Sequence, residues 1–156
     1  MKKFEIYTDG ACKGNPGEAA IGVVINCDGK CVGEISKPIG EATNNIAEYS
    51  ALVFGLQELL VLRADDVNVY TDSELVYKQV IGAYKIKNAK LKFLNDQVKS
   101  LARGFKSFKI SHVPREKNKD ADRLASEALK ETKEKQTDMV ASLFEYSEEE
   151  SPSSKG

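Results

Sequence analysis

The 156-residue sequence has no tryptophan, one histidine and three cysteines. No apolar run comes near the eighteen or more residues that a membrane-spanning helix needs. Each shortage excludes something. An odd number of cysteines does not make a disulfide framework and points to a reducing, cytoplasmic compartment. Cys27 and Cys31 flank Asp28-Gly29 and are expected to face each other across a hairpin as buried or half-buried free thiols. With a single imidazole in the chain, four zinc ligands are hard to assemble. Met1-Lys2-Lys3 runs straight into a strand-like segment without the apolar core of a signal peptide, so neither secretion nor membrane anchoring is expected.

What remains is a soluble, globular composition, 41% hydrophobic and 30% charged, at a length that fits one domain with its own core. The net charge of −1 hides an asymmetry. From Glu131 onward the chain holds 7 acids and 3 bases, while Lys78 to Lys109 holds nine bases against one acid, Asp96. That block is the footprint of a polyanionic partner, or simply a solvated lysine-rich helix face. Met139, Val140, Leu143 and Phe144 follow a helical spacing ahead of Glu148-Glu149-Glu150. They read as a helical extension, or as a docking peptide for a protein partner. The end, Ser151 to Gly156, is expected to be disordered.

Alternation of apolar and polar residues predicts strands at Phe4–Thr8, Ala20–Asn26, Cys31–Ile39, Val67–Thr71 and Phe105–Val113, with a Gly/Pro/Asn loop at Gly10–Gly17 and a turn at Asp28-Gly29. Helices are predicted at Thr43–Leu62, Ser73–Ile81, Ala89–Ala102 and Asn118–Lys130, the last with Asn118 as its cap. A hairpin-bearing start followed by alternation of strand and helix implies an α/β fold, one mixed sheet with helices packed on it.

The sequence echoes itself once. Tyr7-Thr8-Asp9-Gly10 closes the first strand and Tyr70-Thr71-Asp72-Ser73 closes the fourth. If those strands are adjacent and parallel, both aspartates project side by side at the carboxyl edge of the sheet, where open α/β folds place ligands. Two close carboxylates repel, so they share a proton or hold a divalent cation; each alone also fits a turn residue. Glu48 falls on the stripe of Ala51, Leu52, Gly55 and Leu59, where an unpaired charge is costly. Asp122, beside Leu124, Ala125 and Ala128, completes an oxygen-only set, which suits Mg²⁺ or Mn²⁺ better than zinc.

Four segments, Tyr7–Gly17, Thr43–Glu48, Tyr70–Ser73 and His112–Ala125, together resemble the type-I ribonucleases H over roughly residues 1–130. The resemblance implies a ribonuclease H-like fold, a five-stranded mixed sheet in order 3-2-1-4-5 flanked by helices, with residues 131–156 as an acidic extension. It implies that Asp9, Glu48, Asp72 and Asp122 bind two Mg²⁺ ions, Mn²⁺ substituting. The activity implied is hydrolysis of the RNA strand of an RNA/DNA hybrid to 5′-phosphate and 3′-hydroxyl ends. His112 matches a mobile histidine linked to proton transfer or product release, with Arg115 and Lys117 on the same loop. Asn15, Asn44 and Asn45 match asparagines that read 2′-hydroxyls, and Thr43 matches a phosphate-pocket residue for the DNA strand. A monomer is the default for this fold.

Two departures stand out. Many bacterial relatives carry a tryptophan-bearing basic handle where this chain has only the short Tyr84–Lys92 connection, which places it in the handle-less subgroup. Glu74 stands where many relatives have glutamine. Two further readings are a catalytically silent hybrid-binding module and a nuclease of the same superfold acting on other duplexes.

Overall fold

The structure, a computed structural model of the chain, describes residues 2–132. The acidic extension, with Met139, Val140, Leu143 and Phe144, lies outside the described residues. Three long strands open the chain: β1 (Lys3–Gly14), β2 (Gly17–Cys27) and β3 (Lys30–Ala42). Helix α1 (Asn44–Val61) then crosses to β4 (Asp66–Thr71), and α2 (Glu74–Val80), α3 (Ala89–Ala102) and β5 (Ser107–His112) follow. A 3-10 turn at Arg115–Lys117 leads into α4, residues 119–132. The sheet order is β3-β2-β1-β4-β5. β1 pairs in parallel with β4 and antiparallel with β2, so the mixed sheet follows from joining a meander to a crossover through α1.

Period-two patterning seats the sheet. Phe4, Ile6 and Thr8 on β1, and Val67, Val69 and Thr71 on β4, are buried on one face. Against that face α1 lays Tyr49, Leu52, Leu56 and Leu59, all fully buried, each apolar side chain contributing about 2 kcal/mol of burial. Thr43 caps α1 by accepting from the Ile46 N–H at 3.2 Å. The Tyr49 hydroxyl donates to Gln79 Oε1 at 2.7 Å and accepts from Asn95 Nδ2 at 3.1 Å, which ties α1 to α2 and α3 through one buried polar link. α4 packs on the other face, where Ser36 Oγ donates to the Leu124 carbonyl at 2.6 Å.

Several sequence expectations need correction. Gly10–Gly17 is not a loop: β1 continues to Gly14 and β2 begins at Gly17, because the ladder with β2 runs on through Gly14↔Gly17 and leaves only Asn15-Pro16 as the turn. Cys27 pairs with Lys30 and Cys31 with Asn26, so the thiols do not face each other; an irregularity between Ile25 and Asn26 shifts the register. Cys31 is exposed rather than buried. Asn118 stands at the start of α4 and its carbonyl accepts the Asp122 N–H, but its side chain does not cap the helix.

Two glycines admit the helices that bear candidate ligands. A Cβ on Gly10 would overlap the backbone of Ala47 and Glu48, and one on Gly22 would overlap the backbone of Ala121 and Ala125. Gly22→Ala should therefore lower stability by about 2 kcal/mol or more in urea denaturation, since backbone rather than a flexible side chain must yield. A change within about 0.5 kcal/mol would show that α4 does not rest on β2.

Candidate active site

Asp9 lies one residue past the last β1–β4 pair, Thr8↔Thr71, and Asp72 follows on the neighbouring strand. The parallel register, with Tyr7 opposite Tyr70 and their rings stacked at 4.9 Å, therefore brings the two aspartates to the same end of the sheet. Glu48, 7% exposed, comes from the first turns of α1, drawn in over Gly10. Ligand oxygens of Asp9, Glu48 and Asp72 all lie within 4.8 Å of one another. Asp122 on α4 is exposed and outside that tight trio, but it lines the same cavity of about 420 Å³. Sequence reasoning placed four carboxylates together; the structure makes three of them a cluster and the fourth its rim.

Electrostatics matches this crowding. Asp9 is pushed up to about 7, first by burial and then by the charge of Asp72, with Asp122 adding to the shift and a hydrogen bond with Glu48 opposing it. Glu48 is raised well above the usual carboxylate range, again by burial first and then by Asp9. Burial also raises Asp72, while the Arg115 guanidinium and the Asn118 amide pull it back. The ion pairs Lys92–Asp96 and Arg123–Glu127 involve none of the four carboxylates, and Arg115 acts on Asp72 from a distance. Glu48 Oε2 is buried and accepts no hydrogen bond. A compact set of hard oxygen donors with an unsatisfied buried oxygen fits a divalent cation.

The other predicted residues divide. Arg115 and Asn44 line the carboxylate cavity. Lys117 does not; it lines a separate cavity beside Tyr7 and Asn26. His112 ends β5, exposed, with Nε2 at 3.3 Å from the Asp72 carbonyl and its ring stacked on Tyr77. It therefore stands beside the carboxylates and out of their tight cluster. Asn15 Oδ1 accepts the Asn44 N–H at 3.0 Å, joining the β1–β2 turn to the start of α1. Asn15, Thr43 and Asn45 line a second cavity of about 480 Å³. Asn88 and Lys90, missed in the sequence, complete that cavity from the start of α3; the signal was the cap pattern Asn88-Ala89-Lys90, Asn88 Oδ1 accepting from Lys90 and Leu91. Cys12, not singled out in the sequence, lines the carboxylate cavity.

The family profile described as "Reverse transcriptase-like" matches residues 7–128. The "Ribonuclease H" of Erythrobacter litoralis is 39% identical over 142 residues, covering 82% of this chain and 96% of that protein. The chain belongs to the ribonuclease H family. The "Ribonuclease HI" of Halobacterium salinarum is 44% identical over 128 residues, 81% of this chain and 64% of that protein, so the chain spans under two thirds of that relative's length. A crystal structure of RNase H1 from that archaeon superposes with a TM-score of 0.81 at 42% identity, covering 83% of this chain and 98% of the other. LC11-RNase H1, solved in complex with an RNA/DNA hybrid, gives 0.79 at 41%, over 83% and 99%. Like the handle-less ribonucleases H, the chain joins α2 to α3 through residues 81–88 alone.

Raised carboxylate pKa values carry a definite sign. The metal-free fold binds a proton at Asp9 between pH 3.8 and about 7 that the unfolded chain has already lost, so the stability Asp9 contributes is full below that window and lost on rising through it. Asp9→Asn should abolish most of that loss. At pH 8 without divalent cation the variant should melt higher than the parent by roughly 5 °C, the two converging near pH 4. Parallel melting curves across the range would remove Asp9 from the crowded trio.

Proposed function

We propose that the chain is an endoribonuclease that hydrolyses the RNA strand of RNA/DNA hybrids by a two-metal-ion mechanism, leaving 5′-phosphate and 3′-hydroxyl ends. The observation that carries this is the trio Asp9, Glu48 and Asp72, its oxygens within 4.8 Å of one another and open to a cavity that also holds Asp122. Two Mg²⁺ ions, or Mn²⁺ in their place, supply an activated water and a stabilised leaving oxygen when bound. Asp9, Glu48, Asp72 and Asp122 are the residues proposed to hold them.

The protein's own groups do the rest. Glu48 and Asp9, buried and held on α1 and β1, would keep their oxygens in a fixed frame for the cations and give up their protons as these bind. Arg115, lining the same cavity, stands where a phosphate enters. His112, exposed beside Asp72, is placed to take up or release a proton at the leaving product. Asn15, Asn44 and Asn45, with amides and backbone near the cavity mouths, match the donors and acceptors that a 2′-hydroxyl needs. Thr43, joined by Asn88 and Lys90, forms a polar pocket for a DNA-strand phosphate. The lysines of residues 85–109 add a salt-dependent hold on the duplex. Residues 1–130 form the catalytic domain in this reading, acting as a monomer in the cytoplasm, and a protein partner for the extension is left to experiment.

A labelled RNA strand annealed to DNA should be cut with Mg²⁺ or Mn²⁺ and spared with chelator. The same RNA in an RNA duplex, and DNA in a DNA duplex, should survive. Cleavage of DNA duplex with hybrid left intact would falsify the substrate assignment. Asp72→Asn should lower kcat by at least about 10³-fold, some 4 kcal/mol of transition-state stabilisation, while the far-UV spectrum stays that of the parent.

A further inference from the structure

Asn118 occupies the capping position of α4 and does not cap it. The backbone behaves as a cap should, its carbonyl accepting the Asp122 N–H at 3.1 Å. The side chain turns the other way. Nδ2 donates to the Thr8 carbonyl at 2.9 Å, across 110 positions of sequence, and Oδ1 accepts nothing although the residue is 1% exposed. An asparagine here can ordinarily satisfy an orphan N–H of the first turn with that oxygen. This one forgoes the cap and leaves a buried acceptor unsatisfied, which is unfavourable on both counts. Helix stability therefore does not account for the orientation.

Position does. Thr8 immediately precedes Asp9 on β1. The same amide lies near enough to Asp72 to draw its carboxyl pKa down. Asp122 lies one helical turn beyond Asn118, bonded to its carbonyl. A single buried residue thus joins the strand end that carries Asp9 to the turn that carries Asp122, beside Asp72. The other three ligand candidates have independent anchors: Asp9 and Asp72 the sheet ladder, Glu48 the buried stripe of α1. Asp122 is exposed and interacts directly with Asp9, and its helix is seated at the site end of the sheet by the Asn118 bond and the close approach of Ala121 to Gly22.

We propose that Asn118 is a positioning residue that locks the start of α4 to the end of β1 and so holds Asp122 in register with Asp9 and Asp72 for a divalent cation. The proposal rests on the reading of the carboxylates as a metal site. Asn118→Ser tests it, because serine caps a helix as well as asparagine but is too short to span to the Thr8 carbonyl. Asn118→Asp keeps the size and removes the donor, and serves if the serine variant folds poorly.

The measurements are Mn²⁺ binding to the metal-free protein by titration calorimetry, the melting temperature, and hybrid cleavage. The serine variant should melt within a few degrees of the parent, bind Mn²⁺ at least tenfold more weakly, and lose kcat with KM little changed. In an Asp122→Asn background the same substitution should cost little further affinity, because its effect runs through Asp122. Unchanged Mn²⁺ affinity, or an equal penalty in both backgrounds, overturns the proposal while leaving the metal reading intact. A parent protein that binds no Mn²⁺ overturns both.

Discussion

Negative charges in close quarters set the terms for this molecule. Two unit charges 4 Å apart repel by about 4 kcal/mol at an effective dielectric of 20, and exclusion of water strengthens the repulsion. Oxygens of Asp9, Glu48 and Asp72 share a space of that size, and the Arg115 guanidinium relieves the crowding at Asp72. The backbone that carries them must therefore be rigid enough to resist spreading. Three different devices supply that rigidity: the parallel ladder of β1 with β4, the buried stripe of α1, and the close seating of helix on strand over glycine.

Those devices are coupled through the core. Tyr49, buried within α1 one residue from Glu48, links its hydroxyl to Gln79 on α2 and Asn95 on α3. A satisfied buried polar chain of this kind fixes orientation more sharply than apolar contact does. Glu48 is thus placed by a helix whose rotation is determined on its far side. Gly10 performs the complementary role, because any side chain there would push the first turns of α1, and Glu48 with them, away from Asp9.

Around the acidic centre the surface changes character. Asn15 bonded to Asn44 closes the β1–β2 turn onto the helix start, and the cavity of Thr43, Asn45, Asn88 and Lys90 lies next to it. Beyond it run the exposed lysines of α3 and its flanking segments. On the proposed reading, an anionic duplex approaching this face would meet positive charge and polar groups before it meets the carboxylates.

Much of this was legible from the sequence because its signals are local. Among the described residues, period-two and helical patterning located the five strands and the four α-helices but not the 3-10 turn at Arg115–Lys117, and Thr43 announced the start of α1. The repeated Tyr-Thr-Asp at 7–9 and 70–72, with Glu48 on an apolar stripe, predicted the gathering of carboxylates before any coordinates. Where reading failed, the cause was long-range. The segment 10–17 is rich in turn-forming residues, and only pairing with β2 makes most of it strand. Asn118 binds Thr8 instead of its own helix. The sequence by itself determined which residue types lie on which element, since backbone stereochemistry and burial act within a few residues. Tertiary structure alone decided that Asp122 stands at the rim, which cavity Arg115 and Asn88 line, and where the buried amide of Asn118 points, since those depend on contacts between segments as much as 110 residues apart.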